Sequence, residues 1–87
     1  MERRERERER VGNGCPLTAA QLRVLQVAHD RHTIVAKEIA RHIGCSFETA
    51  RVHFRESHKR LGVQERMHAV DVCLENGWIR DEMGFAH

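Results

Sequence analysis

The 87-residue sequence lacks the features that mark several other classes of protein. It has no run of about 18 apolar residues, which a membrane-spanning helix requires. Its N-terminus does not show the succession of charged, apolar and small residues that is typical of a secretory signal. We therefore expect an intracellular protein that has no membrane partner.

Disulfide and metal signatures are also missing. The three cysteines, Cys15, Cys45 and Cys73, are odd in number, widely spaced and outside any CxxC motif, which favours reduced thiols over a disulfide framework. The pairs nearest to metal-ligand spacing are His29-x-x-His32 and His42-x-x-Cys45. Neither has the second pair that a closed zinc site needs, so we expect no metal and no cofactor.

Catalytic signatures are absent as well. The sequence has no Gly-rich phosphate loop, and no Cys/His or Ser/His/acid set can be assembled from its spacing. A chain below roughly 100 residues also buries only a shallow core, which leaves little room for an elaborate active site. We expect that the protein is not an enzyme.

The charge of the chain is small in total but segregated along the sequence. The formal net charge is +2, yet residues 51–60 carry four cationic side chains against Glu56 alone. Residues 71–82 reverse the sign, with four carboxylates against Arg80. The opening segment MERRERERER nearly cancels its own charges and predicts a mobile, solvated tail. We place this tail at residues 1–14, one folded domain at 15–80 and a short C-terminal tail at 81–87.

Residues 17–22 carry two sequence patterns that are typical of the start of a helix. Thr18 followed three residues later by Gln21 has the form of a capping box, and Leu17 and Leu22 have the spacing of a hydrophobic staple, so helix one should begin near Ala19.

Helix two is predicted within TIVAKEIARHIG, where Thr33 is a candidate N-cap and Gly44 a C-terminal stop. Its apolar positions recur every four residues: Val35, Ile39 and Ile43. Only Cys45 and Ser46 separate Gly44 from the next helical stretch. Two short helices joined by so tight a turn predict a helix-turn-helix.

The third helix, from about Ser46 to Leu61, has two distinct sides. One stripe is predicted to be buried: Ala50, Phe54, Ser57 and Leu61. The other carries Arg51, Val52, Arg55 and Lys59. A solvated charged face is the simple interpretation of such a stripe, but its position on the second helix of a helix-turn-helix favours DNA.

The chemistry of the cationic stripe fits a major groove. The planar fork of arginine matches guanine O6 and N7, and valine can rest on a thymine methyl, so Arg51, Val52 and Arg55 are candidate base-reading residues. Ser46 and Thr49, at the start of the helix, are candidates for binding a phosphate. His53 would donate to phosphate when protonated, and we also consider His53 and His58 as pH-sensitive modulators of DNA affinity.

A fourth helix is predicted before Gly77, with Trp78 and Ile79 folding back as an apolar lid. It is apolar on two sides. Ala69, Val72 and Cys73 lie on one side, and Met67, Val70 and Leu74 on the other. Either a partner chain covers the second side, or helix one and the Trp78–Ile79 lid cover both.

Several short motifs occur in a fixed order: LT at 17–18, KEIA at 37–40, SFETARVH at 46–53, KRLGV at 59–63, ER-x-x-AV at 65–70 and NGWI at 76–79. In their order and spacing they resemble the LuxR/GerE/NarL-type DNA-binding domain of bacterial transcription regulators. The resemblance covers about residues 17–79. It implies an all-α, compact four-helix domain containing a helix-turn-helix, with helix three as the recognition helix.

The resemblance also implies roles for single residues. Arg51, Val52 and Arg55 match the base-reading positions. Positions that contact the DNA backbone are matched by Lys37, Ser46, Thr49 and Lys59. A homodimer on double-stranded DNA would form through helix four, whose contact residues would be Met67, Val70, Asp71 and Leu74. In this sequence Ser57 and His58 stand where the family usually has large aliphatic residues, and Asp71 replaces a commonly apolar residue of helix four.

The function that we expect is sequence-specific binding of double-stranded DNA by a small transcription regulator. Such a protein would be cytoplasmic, encoded by a bacterium or a phage and associated with the nucleoid. Only a charged tail precedes the domain, so we expect regulation through abundance or another protein. The alternative is a protein-interaction module that binds RNA polymerase, as sigma-factor region-four modules do, or another LuxR-type regulator, without an operator of its own.

Overall fold

Four α-helices make up the regular structure of the part of the chain that the structure describes. The computed structural model describes residues 14–81, in which the helices are α1 (Ala19–Asp30), α2 (Ala36–Ile43), α3 (Phe47–Leu61) and α4 (Arg66–Glu75). No strand occurs between residues 14 and 81. The prediction of an all-α, four-helix domain is confirmed. All of the predicted N-terminal tail except Gly14, and all of the C-terminal tail except Asp81, lie outside the described residues.

Helix α1 begins with the predicted capping box. The Thr18 hydroxyl accepts a hydrogen bond from the Gln21 backbone N–H at 3.2 Å, and the Gln21 side-chain oxygen accepts one from the Thr18 N–H at 3.0 Å. Leu17 and Leu22 are both buried. Both backbone donors at the start of the helix are thereby satisfied, which fixes where α1 begins.

Helix α2 begins later than predicted. Its N-cap is Val35, without a side-chain cap, and Thr33 instead accepts a hydrogen bond from the Val35 N–H at 3.1 Å. The reason is that Thr33 belongs to the end of α1, because its own N–H donates to the Ala28 carbonyl at 3.0 Å. His32, at a φ of 55°, supplies the left-handed residue of this Schellman-type ending. Val35 is consequently 48% exposed, and Ala36 occupies the core in its place.

The turn between α2 and α3 consists of Gly44, Cys45 and Ser46. Gly44 has a φ of 86°, a conformation that favours glycine, and its N–H donates to the Ala40 carbonyl at 2.8 Å. Ser46 then caps α3 through its hydroxyl, which accepts from the Thr49 N–H at 3.0 Å. The predicted helix-turn-helix is confirmed, with Gly44 ending α2 and Ser46 capping α3 as expected.

The core is formed by buried side chains from all four helices, with additions from the segments before α1 and after α4. Helix α3 packs against each of the other three helices, and its largest buried side chain is Phe54. Ala50 and Ser57 are fully buried on the same side, whereas Leu61 is half-buried. The small Ser57 is accommodated because its hydroxyl donates to the His53 carbonyl at 2.7 Å within the helix.

Arg66 joins three parts of the fold. Its Nη1 donates to the Ile34 carbonyl at 2.8 Å, which ties the start of α4 to the α1–α2 loop. Its guanidinium carbon also lies 4.5 Å from the centre of the Phe54 ring, a cation–π distance. The half-buried cation therefore lies over the edge of the core.

The segment after α4 folds back as predicted. Gly77, at a φ of 72°, reverses the chain, and the Trp78 N–H donates to the Cys73 carbonyl at 2.9 Å. Ile79 is buried, and Trp78 packs partly against the core. A reciprocal pair of hydrogen bonds between the Gln26 side chain and the Arg80 backbone, both 2.7 Å, then fastens this segment to α1.

The cysteines are all unpaired. Cys15 and Cys73 are buried, and burial raises the pKa of both thiols, that of Cys73 to about 12. Two of the three thiols are therefore poor nucleophiles at neutral pH.

His58 makes the stability of this fold depend on pH. Burial, together with the positive charge of Arg66, lowers the pKa of His58 below its ordinary value of 6.5, and its buried Nε2 has no hydrogen-bond partner within residues 14–81. The unfolded chain therefore binds a proton at His58 more readily than the folded chain. We expect the free energy of unfolding to decrease as the pH falls below about 6.5.

The measurement is urea unfolding at about pH 7.5 and about pH 5.5 for the wild type and His58→Leu. The leucine variant should lose less stability between the two conditions, because it lacks the imidazole whose protonation the fold disfavours. Equal losses in the two proteins would contradict this assignment to His58.

Candidate nucleic-acid interface

The outer face of α3 carries the predicted base-reading residues. Arg51, Val52 and Arg55 are all exposed, Val52 by 37%, on the side of the helix away from Phe54. The face extends along a helix of 15 residues, about 22 Å. One side of α3 therefore packs in the core, and the opposite side is a surface that can enter the major groove of DNA.

Arg51 is held in place by its neighbours but remains accessible. Its Nη1 donates to both carboxylate oxygens of Glu48, at 3.0 and 3.2 Å, and its guanidinium carbon lies 5.6 Å from the centre of the Phe47 ring. The side chains of Arg51 and Glu48 are 46% and 70% exposed. An ion pair so exposed is weak, so the guanidinium can exchange Glu48 for a base or a phosphate.

Arg55 lies one helical turn further along and is exposed. It forms no hydrogen bond or ion pair within residues 14–81, so its five N–H donors are available to an acceptor outside the domain. Among the candidate base-reading side chains, Arg55 needs the least rearrangement to form a two-point contact with guanine.

The first turn of α3 has the properties of an anion-binding site in part. The Ser46 hydroxyl is occupied twice, since it accepts from the Thr49 N–H and donates to the Thr49 hydroxyl at 2.9 Å. The Thr49 hydroxyl therefore retains its own proton for a phosphate, whereas Ser46 orients Thr49. Ala50 is the first residue of α3 whose backbone N–H donates to a backbone carbonyl, that of Ser46, at 3.1 Å. The N–H groups before it are those that a helix start offers to an anion.

The remaining candidate backbone contacts differ in how they are presented. Lys37 is exposed in the first turn of α2. Lys59 is exposed, with its Nζ 3.9 Å from a Glu56 oxygen, a loose pairing. His53 is half-buried and faces the surface only in part. Arg60, further along the cationic segment, donates to the Pro16 carbonyl at 3.0 Å and supports the fold.

Two residues of this face were missed by the sequence analysis. Phe47 is 50% exposed at the start of α3, and Glu48 lies beside it. The signal was present, because Phe47 and Arg51 are four residues apart and Glu48 and Arg51 three apart, spacings at which helical side chains meet. Phe47 adds an apolar surface next to Arg51, and Glu48 adds an acceptor.

The residues predicted for a helix-four partner contact do not form one uniform surface. Met67 and Asp71 are exposed and Leu74 is half-buried, but Val70 is only 4% exposed. Val70 belongs to the core cluster, together with Ala69 and Cys73 of the same helix. Val70 can therefore meet a partner only at the floor of a groove and not as an exposed side chain, and the predicted partner contact stays a prediction.

The structure assembles no metal centre from the described residues. Between residues 14 and 81, no group of three or more histidine, cysteine, aspartate or glutamate side chains is placed to hold an ion. Nε2 of His29 instead lies 2.9 Å from the Asp81 carboxylate, which connects the last turn of α1 to the segment after α4. His29 thus has a structural contact that joins distant parts of the chain.

None of the four helices between residues 14 and 81 combines the length and apolar character needed to cross a membrane. A scan against protein-family models, a search of the curated proteins and a search of the solved structures each return no match to this sequence.

Proposed function

We propose that this protein binds double-stranded DNA in a sequence-specific manner and acts as a small transcription regulator of the LuxR/GerE/NarL type, with α3 in the major groove. The observation that carries the proposal is the outward face of α3, on which Arg55 is unpaired within residues 14–81 and Arg51 is exposed. This face lies on the second helix of a helix-turn-helix, the position from which such modules contact bases.

The proposed contacts divide into two kinds. Arg51, Val52 and Arg55 would contact base edges, where arginine recognises guanine and valine a thymine methyl. Lys37, Thr49 and Lys59 would contact phosphates, with Ser46 orienting Thr49 and His53 at the margin of the face. Binding to DNA in this way places the protein in the cytoplasm with the bacterial or phage chromosome.

His58 has no direct part in this proposal. Its pKa is lowered by burial and by Arg66, so protonation near neutral pH is disfavoured. Its positive charge, which would attract a phosphate, is therefore disfavoured at that pH.

The experiment is selection from a library of random duplexes at physiological salt, about 0.15 M, followed by affinity measurements on the selected and on random DNA. We expect a preferred sequence, and affinity that falls steeply with salt, by about 0.9 logarithmic units per phosphate contact for each tenfold change in concentration. Equal affinity for selected and random duplexes would reject sequence-specific binding. It would favour the protein-interaction alternative, with RNA polymerase or another regulator as partner.

A further inference from the structure

A groove lies on another face of the domain, between the end of α1, the α1–α2 loop and α4. We call it the α1–α4 groove, and its volume is about 490 Å³. Its apolar lining consists mainly of Ala28, Ile34, Met67, Val70 and Leu74. Met67 is 53% exposed and Ile34 38% exposed, an unusual degree for such large apolar side chains near one another.

Two carboxylates stand on the rim of the α1–α4 groove. Asp71 and Glu75 are exposed and belong to the lining, which contains no lysine or arginine. Met67, Asp71 and Glu75 are spaced four residues apart and form the outer ridge of α4, whereas Val70 and Leu74 lie on the adjacent inner ridge. The groove therefore has an apolar floor and a negatively charged edge.

This distribution of charge disfavours a second copy as the occupant. A two-fold dimer through α4 would bring the same surface of each copy together, so one interface would gather four carboxylates, Asp71 and Glu75 from each copy. Like charges gathered in one interface weaken association, and the lining offers no lysine or arginine to offset them; its other ionisable side chains are His29 and His32. A partner with the opposite charge does not incur this repulsion.

We infer that the α1–α4 groove binds an amphipathic helix of another protein, one whose apolar side chains are flanked by lysine or arginine. The stripe from Met67 to Leu74 is about 10 Å long, which corresponds to about two helical turns of a partner. Apolar side chains of that helix would enter over Val70 and Leu74, and its cations would pair with Asp71 and Glu75. This surface is separate from the DNA-facing side of α3 and does not depend on the proposed function.

The first test uses the full chain and two synthetic helical peptides of about 14 residues. Both carry leucines at helical spacing, one with flanking lysines and the other with glutamates in the same positions. Titration calorimetry should show at least tenfold tighter binding of the lysine peptide. Equal binding of the two peptides, or binding of neither, would overturn the proposal.

The second test reverses the charge of the rim. The variant with Asp71→Lys and Glu75→Lys should prefer the glutamate peptide, whereas Glu38→Lys, an exposed change on α2, should leave the preference of the wild type unaltered. A double variant that keeps the wild-type preference would overturn the proposal. The peptide comparison on the wild-type protein decides the question even if the double variant does not fold.

The third test is sedimentation equilibrium of the wild-type chain. A monomer at about 100 μM supports a foreign partner, because a stable self-dimer would be populated there. A dimer that Asp71→Lys dissociates would overturn the proposal and assign the groove to a second copy. Selection of duplex DNA by the same variants reports on α3 separately, so failure of the groove and failure of DNA binding are distinguishable.

Discussion

Replacing Arg55 with alanine is expected to weaken binding to the preferred duplex by about 1–3 kcal/mol, roughly 5- to 150-fold. The physical reason is that Arg55 has no hydrogen-bond or ion-pair partner within residues 14–81, so its whole fork is available to a guanine edge. Binding to random DNA should fall much less, because that binding rests on the sum of phosphate contacts. Fluorescence anisotropy with selected and random duplexes at one salt concentration measures both quantities.

Two control variants separate base recognition from simple charge. Arg55→Lys keeps the positive charge but loses the planar fork, so it should retain most of the affinity for random DNA and lose most of the preference. Arg31→Ala removes an exposed arginine at the end of α1 and should affect the two duplexes equally. If Arg55→Ala lowered the affinity for both duplexes by the same factor, Arg55 would be a backbone contact instead.

The largest effect on stability is expected from Phe54→Ala. Phe54 is 1% exposed, is the largest fully buried side chain and supports the Arg66 guanidinium, so its truncation leaves a cavity beneath α3. Such a change costs about 3–5 kcal/mol. A chain of this size has a total stability of roughly 4–13 kcal/mol, so the variant should unfold at a much lower urea concentration.

The matched control is Val52→Ala, two residues away on the opposite side of the same helix. Because Val52 is 37% exposed, its truncation should change the midpoint of urea unfolding only slightly. Comparable losses for the two variants would show that the inner and outer sides of α3 have been assigned incorrectly. Circular dichroism at the helical band follows both unfolding curves.

Much of the fold was predictable because its boundaries are set by local interactions. The capping box of Thr18 and Gln21, the left-handed Gly44 and the Ser46 cap each act within a few residues. A sequence carries such signals in full, since both partners lie in one short window. The outward direction of Arg51 and Arg55 followed similarly from the helical period and the apolar stripe behind them.

The features that were not predicted depend on contacts between distant segments. His29 and Asp81 are 52 positions apart, and Arg66 and Ile34 are 32 apart. No local pattern pairs such residues, because their meeting requires the four helices to be packed first. The start of α2 was misplaced for a related reason, since Thr33 satisfies the end of α1 rather than the helix that follows it.

The candidate site was predicted in outline but not in its details. Arg51, Val52 and Arg55 occupy one exposed face as expected. The neighbours that shape this face, Phe47 and Glu48, and the burial of Val70 emerged only from the structure. The assignment of the face to DNA stays a prediction until binding is measured.

The contact between Arg66 and Phe54 shows why a count of charges describes this protein poorly. Two arginines serve α3 from opposite sides, Arg66 from beneath the aromatic ring and Arg55 from the outside. Both arginines contribute equally to the formal net charge of +2. Arg66, however, stabilises the packing of α3 through its contact with Phe54, and of the two only Arg55 is available to bind a polyanion. Adding lysines elsewhere on the surface would therefore raise the net charge without reproducing either the packing contact of Arg66 or the DNA contact proposed for Arg55.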